Sequence, residues 1–206
     1  MIAQLKMCEN IRMDSQVMRG RIVLKDSIIE DGVITVEGQF ISHICPASDF
    51  SGELPQSSGS TFLPGLVDVH CHGGGGESFP NATTPEAAMQ AVMEHRRHGT
   101  TSLVASCVTA DADTLKARAR TLASLAEKDE IAGIHFEGPF VSHARCGAQD
   151  PTYIVDPDPD LTRELIDECK GYALSMTLAP EKPRAFGEGS VAEALIDGGA
   201  IPSWGH

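Results

Sequence analysis

The stretch Pro64-Gly65-Leu66-Val67-Asp68-Val69-His70-Cys71-His72-Gly73 decides the fold, because it is an apolar run that ends in two histidines one residue apart. Side chains two residues apart along a strand lie on the same face. The pattern therefore predicts a buried strand whose last histidines, His70 and His72, point into one space at its carboxyl end. Two imidazoles in that arrangement can share one metal ion.

Beyond this strand, strand-like runs alternate with helix-like segments to the last residue. Continuous apolar runs are typical of strands buried on both faces, as in a parallel sheet covered by helices. Thr84 followed by Pro85 indicates a helix start, and Gly99 indicates a helix end. The strand-like runs are 61–70, 100–108, 131–138, 172–180 and 200–206, and the helix-like segments are 84–99, 111–128, 158–170 and 189–199.

The positions of polar residues favour a (β/α)8 barrel over an open doubly wound sheet. In a barrel, the chemistry collects at the carboxyl ends of the strands. A full barrel needs about eight βα units and about 250 residues. We therefore predict an α/β fold in which residues 61–206 form the first five strands, or about half, of a TIM-type barrel. The polar residues at or just after strand ends are His70, His72, His135, Glu137, Glu181 and His206.

The residues before this barrel segment have a different character. Residues 21–44 contain short β-branched runs, with turn signals at Asp31-Gly32 and Glu37-Gly38. Residues 48–60 are rich in Gly, Ser and Pro, which is typical of a linker or surface loop. We predict a small antiparallel β-sandwich module over residues 1–60, followed by the barrel segment over residues 61–206.

Composition and charge disfavour several classes of binding partner. The chain has 206 residues, of which 41% are hydrophobic, and a net charge of -13. This charge disfavours nucleic acid or an anionic membrane surface as a partner, and a phosphorylated ligand would need a local basic pocket. The sequence contains no apolar run of signal-peptide or membrane-spanning length, which predicts a cytoplasmic protein without a membrane partner.

The cysteines form no CxxC pair in a chain too large to depend on disulfides. We expect most of them to be reduced and buried as small hydrophobic residues, with Cys146 as the exception. The cysteines are Cys8, Cys45, Cys71, Cys107, Cys146 and Cys169.

Two further strand ends carry side chains that can bind a metal. Glu137 ends the run His135-Phe136-Glu137-Gly138-Pro139-Phe140, and His206 ends the last strand-like run. A carboxylate oxygen joined to imidazole nitrogens is a ligand set that suits zinc or iron. The alternative is that His70 and His72 are merely polar residues at a strand end. The convergence of three strands favours a divalent metal site of His70, His72, Glu137 and His206.

The motifs together resemble those of the N-acetylglucosamine-6-phosphate deacetylases of the amidohydrolase superfamily. The resemblance is carried by PGLVDVHCHG at 64–73, GIHFEGPFVS at 133–142, ARCGAQDP at 144–151, TLAPE at 177–181 and WGH at 204–206. It implies that Glu137 and His206 are principal metal ligands, and that His70 and His72 build a second metal site in members that have one. It also implies a homodimer when the protein is full length.

The activity implied by this resemblance is hydrolysis of N-acetylglucosamine 6-phosphate to glucosamine 6-phosphate and acetate, in amino-sugar catabolism. A bound cation would activate water and polarise the acetamide carbonyl, and an aspartate would act as general base and then acid. By the resemblance, that aspartate, a further histidine ligand and basic residues for the sugar phosphate are not among these 206 residues. We therefore expect the chain to be a fragment that is inactive in isolation.

The loop after Glu137 is long and polar, as a lid over a barrel mouth would be. The resemblance implies that Ala148 and Gln149 contact the substrate, although many relatives have histidine in place of Gln149. The amide of Gln149 can donate and accept hydrogen bonds but carries no charge. Cys146 is either a loop cysteine without function or a thiolate that reaches the metal.

Two alternatives remain open. Dihydroorotases and hydantoinases share the His-x-His pattern but bridge their metals with a modified lysine from the fourth strand, and residues 172–180 contain no lysine. The second alternative is a non-catalytic half-barrel that binds metal without turnover. Its unpaired apolar edge would favour aggregation or association with a partner.

Overall fold

The carboxyl-terminal part of the chain is a five-stranded parallel sheet with helices between the strands. The computed structural model describes residues 15–206. Its elements are β5 (Leu66–Cys71), α1 (Pro85–Arg97), β8 (Thr100–Val108), α2 (Ala112–Ala126), β9 (Gly133–Glu137), α3 (Pro159–Glu168), β10 (Ala173–Leu178), α4 (Val191–Asp197) and β11 (Ile201–Trp204). The strands lie in the order β11-β10-β9-β8-β5, and every neighbouring pair is parallel. This parallel half-barrel sheet confirms the predicted α/β class and the predicted alternation of elements.

The helices pack on one face of this sheet and form its core. Alternate residues of β8 and β9, such as Cys107 and Phe136, are buried against apolar helix residues such as Leu115 and Leu165. The intervening residues point to the other face, where His135 and Glu137 lie. The alternation of side chains along β9 thus separates the core from the functional face.

The amino-terminal part is one four-stranded sheet of mixed direction. Its order is β3-β2-β1-β4, with β1 (Ser15–Val23) antiparallel to β2 (Ile28–Glu37) and parallel to β4 (Thr61–Phe62), and with β3 (Phe40–Pro46) on the outer edge. A sandwich requires a second sheet, and residues 15–64 form a single one. The sandwich therefore stays a prediction, as does the portion of the module at residues 1–14, which lies outside the described residues.

Two details of the predicted secondary structure are wrong, one in the β module and one at the start of the barrel segment. Asp31-Gly32 does not form a turn but lies inside β2. There Gly32 pairs with Gly20 of β1 and with Pro46 of β3. A Cβ on Gly32 would lie 2.5 Å from the Ile22 side chain, so close packing explains this glycine. The run 61–70 is two strands, because Pro64-Gly65 separates β4 of the first sheet from β5 of the second. The turn predicted at Glu37-Gly38 is confirmed.

Residues 48–60 are anchored along β1 and are not a free linker. The Ser58 amide donates to the Arg19 carbonyl, and the Arg21 amide donates to the Ser60 carbonyl, both over 3.1 Å. The described residues up to Pro64 form one compact unit, and Gly65–His206 form another. The domain division after residue 60 stays a prediction. A small hairpin of β6 (Gly73–Gly74) and β7 (Glu77–Ser78) follows His72, and single 3-10 turns lie at Ala47–Asp49, His143–Arg145 and Pro151–Tyr153.

The cysteines of the described region follow the prediction. Cys45, Cys71, Cys107 and Cys169 are buried and free, and Cys146 is partly exposed. Burial raises the pKa of Cys107 to about 12 and also raises that of Cys169. These two thiols are therefore protonated at neutral pH, as expected of packing residues. Cys8 lies outside the described residues.

Candidate metal centre

Glu137 lies at the centre of the candidate site. It is the last residue of β9, the middle strand of the parallel sheet, and it pairs with Val108 of β8 and Thr177 of β10. Only 8% of its surface is exposed. A buried carboxylate needs hydrogen-bond donors or a cation to compensate for lost hydration.

His70 and His72 approach one oxygen of this carboxylate. His72 Nε2 lies 3.0 Å from Glu137 Oε2, and His70 Nε2 lies 3.7 Å from it. The two Nε2 atoms are 3.0 Å apart. The three ligand atoms all lie within 4.8 Å of one another, so the structure brings three of the four predicted ligands together in one group.

His206 approaches the other oxygen of Glu137. Its Nε2 lies 2.9 Å from Glu137 Oε1, while its Nδ1 lies 3.1 Å from the carbonyl oxygen of Arg145. A carbonyl only accepts, so Nδ1 donates to Arg145 and Nε2 is the nitrogen that faces the carboxylate. The Ser142 amide also donates to the His206 carbonyl over 2.6 Å, so two backbone groups of the same loop hold this residue.

The donor set fits a divalent cation. Glu137 Oε2 and the Nε2 atoms of His70 and His72 crowd together, and Glu137 Oε1 faces the Nε2 atom of His206. Such contacts between lone pairs need a proton or a cation between them. His72 differs from most metal-binding histidines, which usually donate a hydrogen bond from their second ring nitrogen. Its Nδ1 is buried without a hydrogen-bond partner among the described residues. Imidazole and carboxylate ligands are those that zinc and iron accept.

His135, which the sequence places at a strand end, is buried and packs against His70. It is 3% exposed, and its ring centroid lies 4.7 Å from that of His70. Its Nδ1 lies 2.8 Å from Ser175 Oγ, and its Nε2 lies 3.2 Å from Thr177 Oγ1. Burial, with a further contribution from His70, lowers the pKa of His135 to about 4, so the ring is neutral at physiological pH.

The side chain of Gln149 reaches the candidate site, but it makes its hydrogen bonds within the protein. Its Nε2 donates to Glu137 Oε2 over 2.9 Å, and its Oε1 accepts from the Thr109 amide over 2.7 Å. The sequence carried no signal for this contact beyond the presence of an amide in the loop. Ala148 is exposed, and its contact with substrate stays a prediction. Cys146 does not belong to either group of potential ligand atoms in the described region.

An open cavity of about 460 Å³ lies beside His206. Arg145 supplies its one basic side chain other than histidine, while Glu181 and Trp204 line it as well. Glu181 adds an acidic side chain to the same lining. The cavity has the mixed polar and aromatic character that suits a sugar.

A second group of potential ligands lies behind β5. Asp68, Cys71 and His95 have ligand atoms within 4.8 Å of one another. His95 Nε2 lies 3.1 Å from Cys71 Sγ and 3.0 Å from the Gly73 carbonyl oxygen. The carboxylate of Asp68 accepts from the His70 amide over 3.1 Å. Hydrogen bonding alone accounts for these contacts.

The half-barrel with polar residues at its strand ends agrees with the family comparison. The model of the Amidohydrolase family matches residues 61–196, and the chain belongs to that family.

Similar proteins within the family include N-acetylhexosamine-6-phosphate deacetylases. The N-acetylglucosamine-6-phosphate deacetylase of Bacillus subtilis (strain 168) is 32% identical over 199 residues, which cover 90% of this chain and 48% of the relative. The N-acetylgalactosamine-6-phosphate deacetylase of Shewanella sp. (strain ANA-3) is 29% identical and covers 86% and 44%. The predicted resemblance to N-acetylglucosamine-6-phosphate deacetylases is therefore confirmed, and the chain spans about half the length of these relatives.

A solved structure supports the same grouping. A mutant of the N-acetyl-D-glucosamine-6-phosphate deacetylase from Mycobacterium smegmatis, in complex with N-acetyl-D-glucosamine-6-phosphate, superposes with a TM-score of 0.77. It is 31% identical and covers 93% of this chain and 50% of that chain. Among the helices of residues 15–206, none combines the length and the apolar character that a bilayer crossing requires.

Proposed function

We propose that this chain forms the metal-binding half of a deacetylase that hydrolyses N-acetylglucosamine 6-phosphate to glucosamine 6-phosphate and acetate. The observation that carries the proposal is the convergence of His70, His72 and His206 on the buried carboxylate of Glu137, at distances of 2.9 to 3.7 Å. The relatives named above support the substrate class, since both act on N-acetylated hexosamine 6-phosphates.

Each of these residues has a distinct task in the proposed reaction. Glu137 supplies the negative charge of the site, and His206 is oriented by the Arg145 carbonyl so that its Nε2 faces inward. His70 and His72 present a second pair of nitrogens to the same space. A divalent cation held there, with zinc or iron as the proposed identity, would act as a Lewis acid toward a water molecule and the acetamide carbonyl.

The cavity beside His206 is the proposed site of the sugar. Trp204 offers an aromatic surface to the sugar ring, and Ala148 is the proposed substrate contact of the loop. Arg145 offers a positive charge in a chain whose net charge is -13. By resemblance, further basic residues for the phosphate and the general base are supplied from outside these 206 residues. The cytoplasmic location and the homodimer remain predictions.

The metal site is tested by exchanging the histidine pair. We expect His70→Ala with His72→Ala to lower the zinc or iron content of the purified protein, measured by elemental analysis. The matched control is His43→Ala with His98→Ala, because both of these histidines are exposed and lie outside the candidate site. Equal metal content in the two double variants would remove His70 and His72 from the site.

The substrate is tested by acetate release. We expect the intact enzyme to release acetate from N-acetylglucosamine 6-phosphate in preference to N-acetylgalactosamine 6-phosphate, and we expect no release by the 206-residue chain alone. Preference for the galactosamine substrate would correct the sugar while leaving the deacetylase chemistry in place. Turnover by the 206-residue chain alone would show that the general base lies within it.

A further inference from the structure

We infer that Gln149 is a positioning residue that orients the Glu137 carboxylate for its metal ion. The inference rests on the metal site proposed above. Gln149 lies in the loop after β9, yet only 6% of its surface is exposed. Its amide is the neutral donor that bonds directly to the carboxylate at the centre of the site.

The orientation of the amide follows from its two partners. The Thr109 backbone N–H can only donate, so the group 2.7 Å from it must be the carbonyl oxygen Oε1 of Gln149. The NH2 group must then face Glu137 Oε2, at 2.9 Å. Glu137 as a carboxylate only accepts, so both ends of the amide are correctly matched.

These two bonds use one N–H and one oxygen lone pair of the amide, and they hold it between the Thr109 backbone and the Glu137 carboxylate. If Gln149 turned away, the buried Thr109 amide and the Glu137 carboxylate would each lose this partner, which opposes any other orientation of the side chain. The rest of the loop also holds metal-site residues, because the Arg145 carbonyl and the Ser142 amide bond to His206. The loop therefore orients two proposed ligands, one through backbone groups and one through Gln149.

A neutral donor suits this position on electrostatic grounds. The terminal torsion of a glutamate is soft, so a lone carboxylate can rotate away from the cation. A hydrogen bond to an amide fixes that torsion, whereas a lysine or arginine there would neutralise the charge that attracts the cation. Loss of a hydrogen-bonding partner of a metal ligand typically lowers metal affinity about 10- to 100-fold.

The test uses Gln149→Met, which keeps the length of the side chain and removes both hydrogen bonds. The matched control is Gln90→Met on α1, where the Gln90 amide donates to the Gly75 carbonyl over 2.7 Å. Zinc affinity is measured by competition with a chelator. We expect Gln149→Met to weaken zinc binding about 10- to 100-fold, and Gln90→Met to leave it unchanged.

Repeating the substitution in a Glu137→Gln protein separates a positioning role of Gln149 from a purely structural one. If Gln149 acts through the carboxylate, Gln149→Met has little further effect on zinc affinity in a Glu137→Gln protein. An equal loss of affinity in both backgrounds would overturn the inference, as would an unchanged affinity in the native background. A raised KM for N-acetylglucosamine 6-phosphate at unchanged zinc affinity would make Gln149 a substrate contact instead.

Two results distinguish this inference from the proposed metal site on which it rests. If the native protein binds no zinc or iron, both the metal site and the inference are contradicted. If the native protein binds zinc but Gln149→Met binds it equally tightly, only the inference is contradicted. If the variant fails to fold, hydrogen exchange of the Gln149 side-chain amide in the native protein decides. We expect slow exchange, and exchange as fast as in an exposed glutamine would overturn the inference.

Discussion

At the level of single residues, the site depends on backbone groups that can only donate or only accept a hydrogen bond. The Thr109 amide can only donate and the Arg145 carbonyl can only accept, and these two groups set the orientation of Gln149 and the ring orientation of His206. His135 is neutral because burial lowers its pKa, which allows it to pack against His70 without adding charge. The ligand set is thus organised by neutral groups around one carboxylate.

Gly138 is the residue whose substitution we expect to disturb the site most directly. Its φ is 92°, and a Cβ would lie 2.1 Å from Thr109 Oγ1. We expect Gly138→Ala to lower the free energy of unfolding by more than the order of 1 to 3 kcal/mol that the backbone strain alone costs. The measurement is denaturant unfolding monitored by circular dichroism.

Gly187→Ala is the control for that prediction. Gly187 has a φ of 98°, but a Cβ there would meet nothing within 4 Å. The control carries the strain without the collision, so it should be the milder substitution. Equal losses of stability in the two variants would show that the contact with Thr109 contributes nothing.

At the level of elements, the helices begin where hydrogen-bonding side chains cap them. Thr84 accepts from Ala87, and Asp111 accepts from Thr114, at the first turns of α1 and α2. Asp158 does the same for α3, accepting from two backbone amides. These local contacts explain why the four helices were readable from the sequence with ends correct to within a few residues.

The short helix α4 depends on its cap more than the longer helices do. Ser190 is buried, and its Oγ accepts from the Glu193 amide, while the Glu193 carboxylate accepts from the Gly189 amide. We expect Ser190→Ala to lower the free energy of unfolding by about 1 kcal/mol, the usual cost of a lost serine cap. Urea unfolding measures this loss.

Ser124→Ala provides a comparison within a helix. The Ser124 hydroxyl donates to the Thr121 carbonyl in the last turn of α2, where alanine has the better helix propensity. Stability should change by less than about 0.5 kcal/mol there. A Ser190→Ala protein no less stable than Ser124→Ala would argue against a role for the cap in α4.

At the level of the whole molecule, the described parallel sheet has two unpaired edge strands with exposed apolar side chains. Val67 of β5 and Ile201 of β11 are both exposed, and these strands are the outermost of the five. Exposed apolar edges favour association between chains. We expect the 206-residue chain to self-associate with increasing concentration, as measured by sedimentation velocity.

Charged substitutions at these edges test the cause of association. Val67→Lys with Ile201→Lys should shift the chain toward monomer, because a lysine on an edge strand opposes pairing with another strand. Ile196→Lys on α4 is the control, since Ile196 is equally apolar and is exposed on a helix. A native chain that stays monomeric at all concentrations would contradict the prediction.

The class of fold and the ligand types could be predicted from sequence because they depend on local patterns. Apolar runs, caps and the His-x-His at residues 70–72 are properties of contiguous residues. The turn predicted at Asp31-Gly32 is wrong because this glycine depends on a non-local contact. Ile22 of β1 packs against Gly32 of β2, and a local pattern does not show which strands are neighbours. The strand boundary at Pro64-Gly65 likewise depends on which sheet each half joins.

By itself, the sequence determined the alternation of strands and helices, the parallel sheet and the residues that lie at its strand ends. Only the tertiary structure decided that Glu137 stands between His206 on one side and the pair His70 and His72 on the other, and that Gln149 bonds to it. The physical reason is that side-chain periodicity is set within each element. Distances between strand ends and the path of a loop depend instead on packing between segments far apart in the chain.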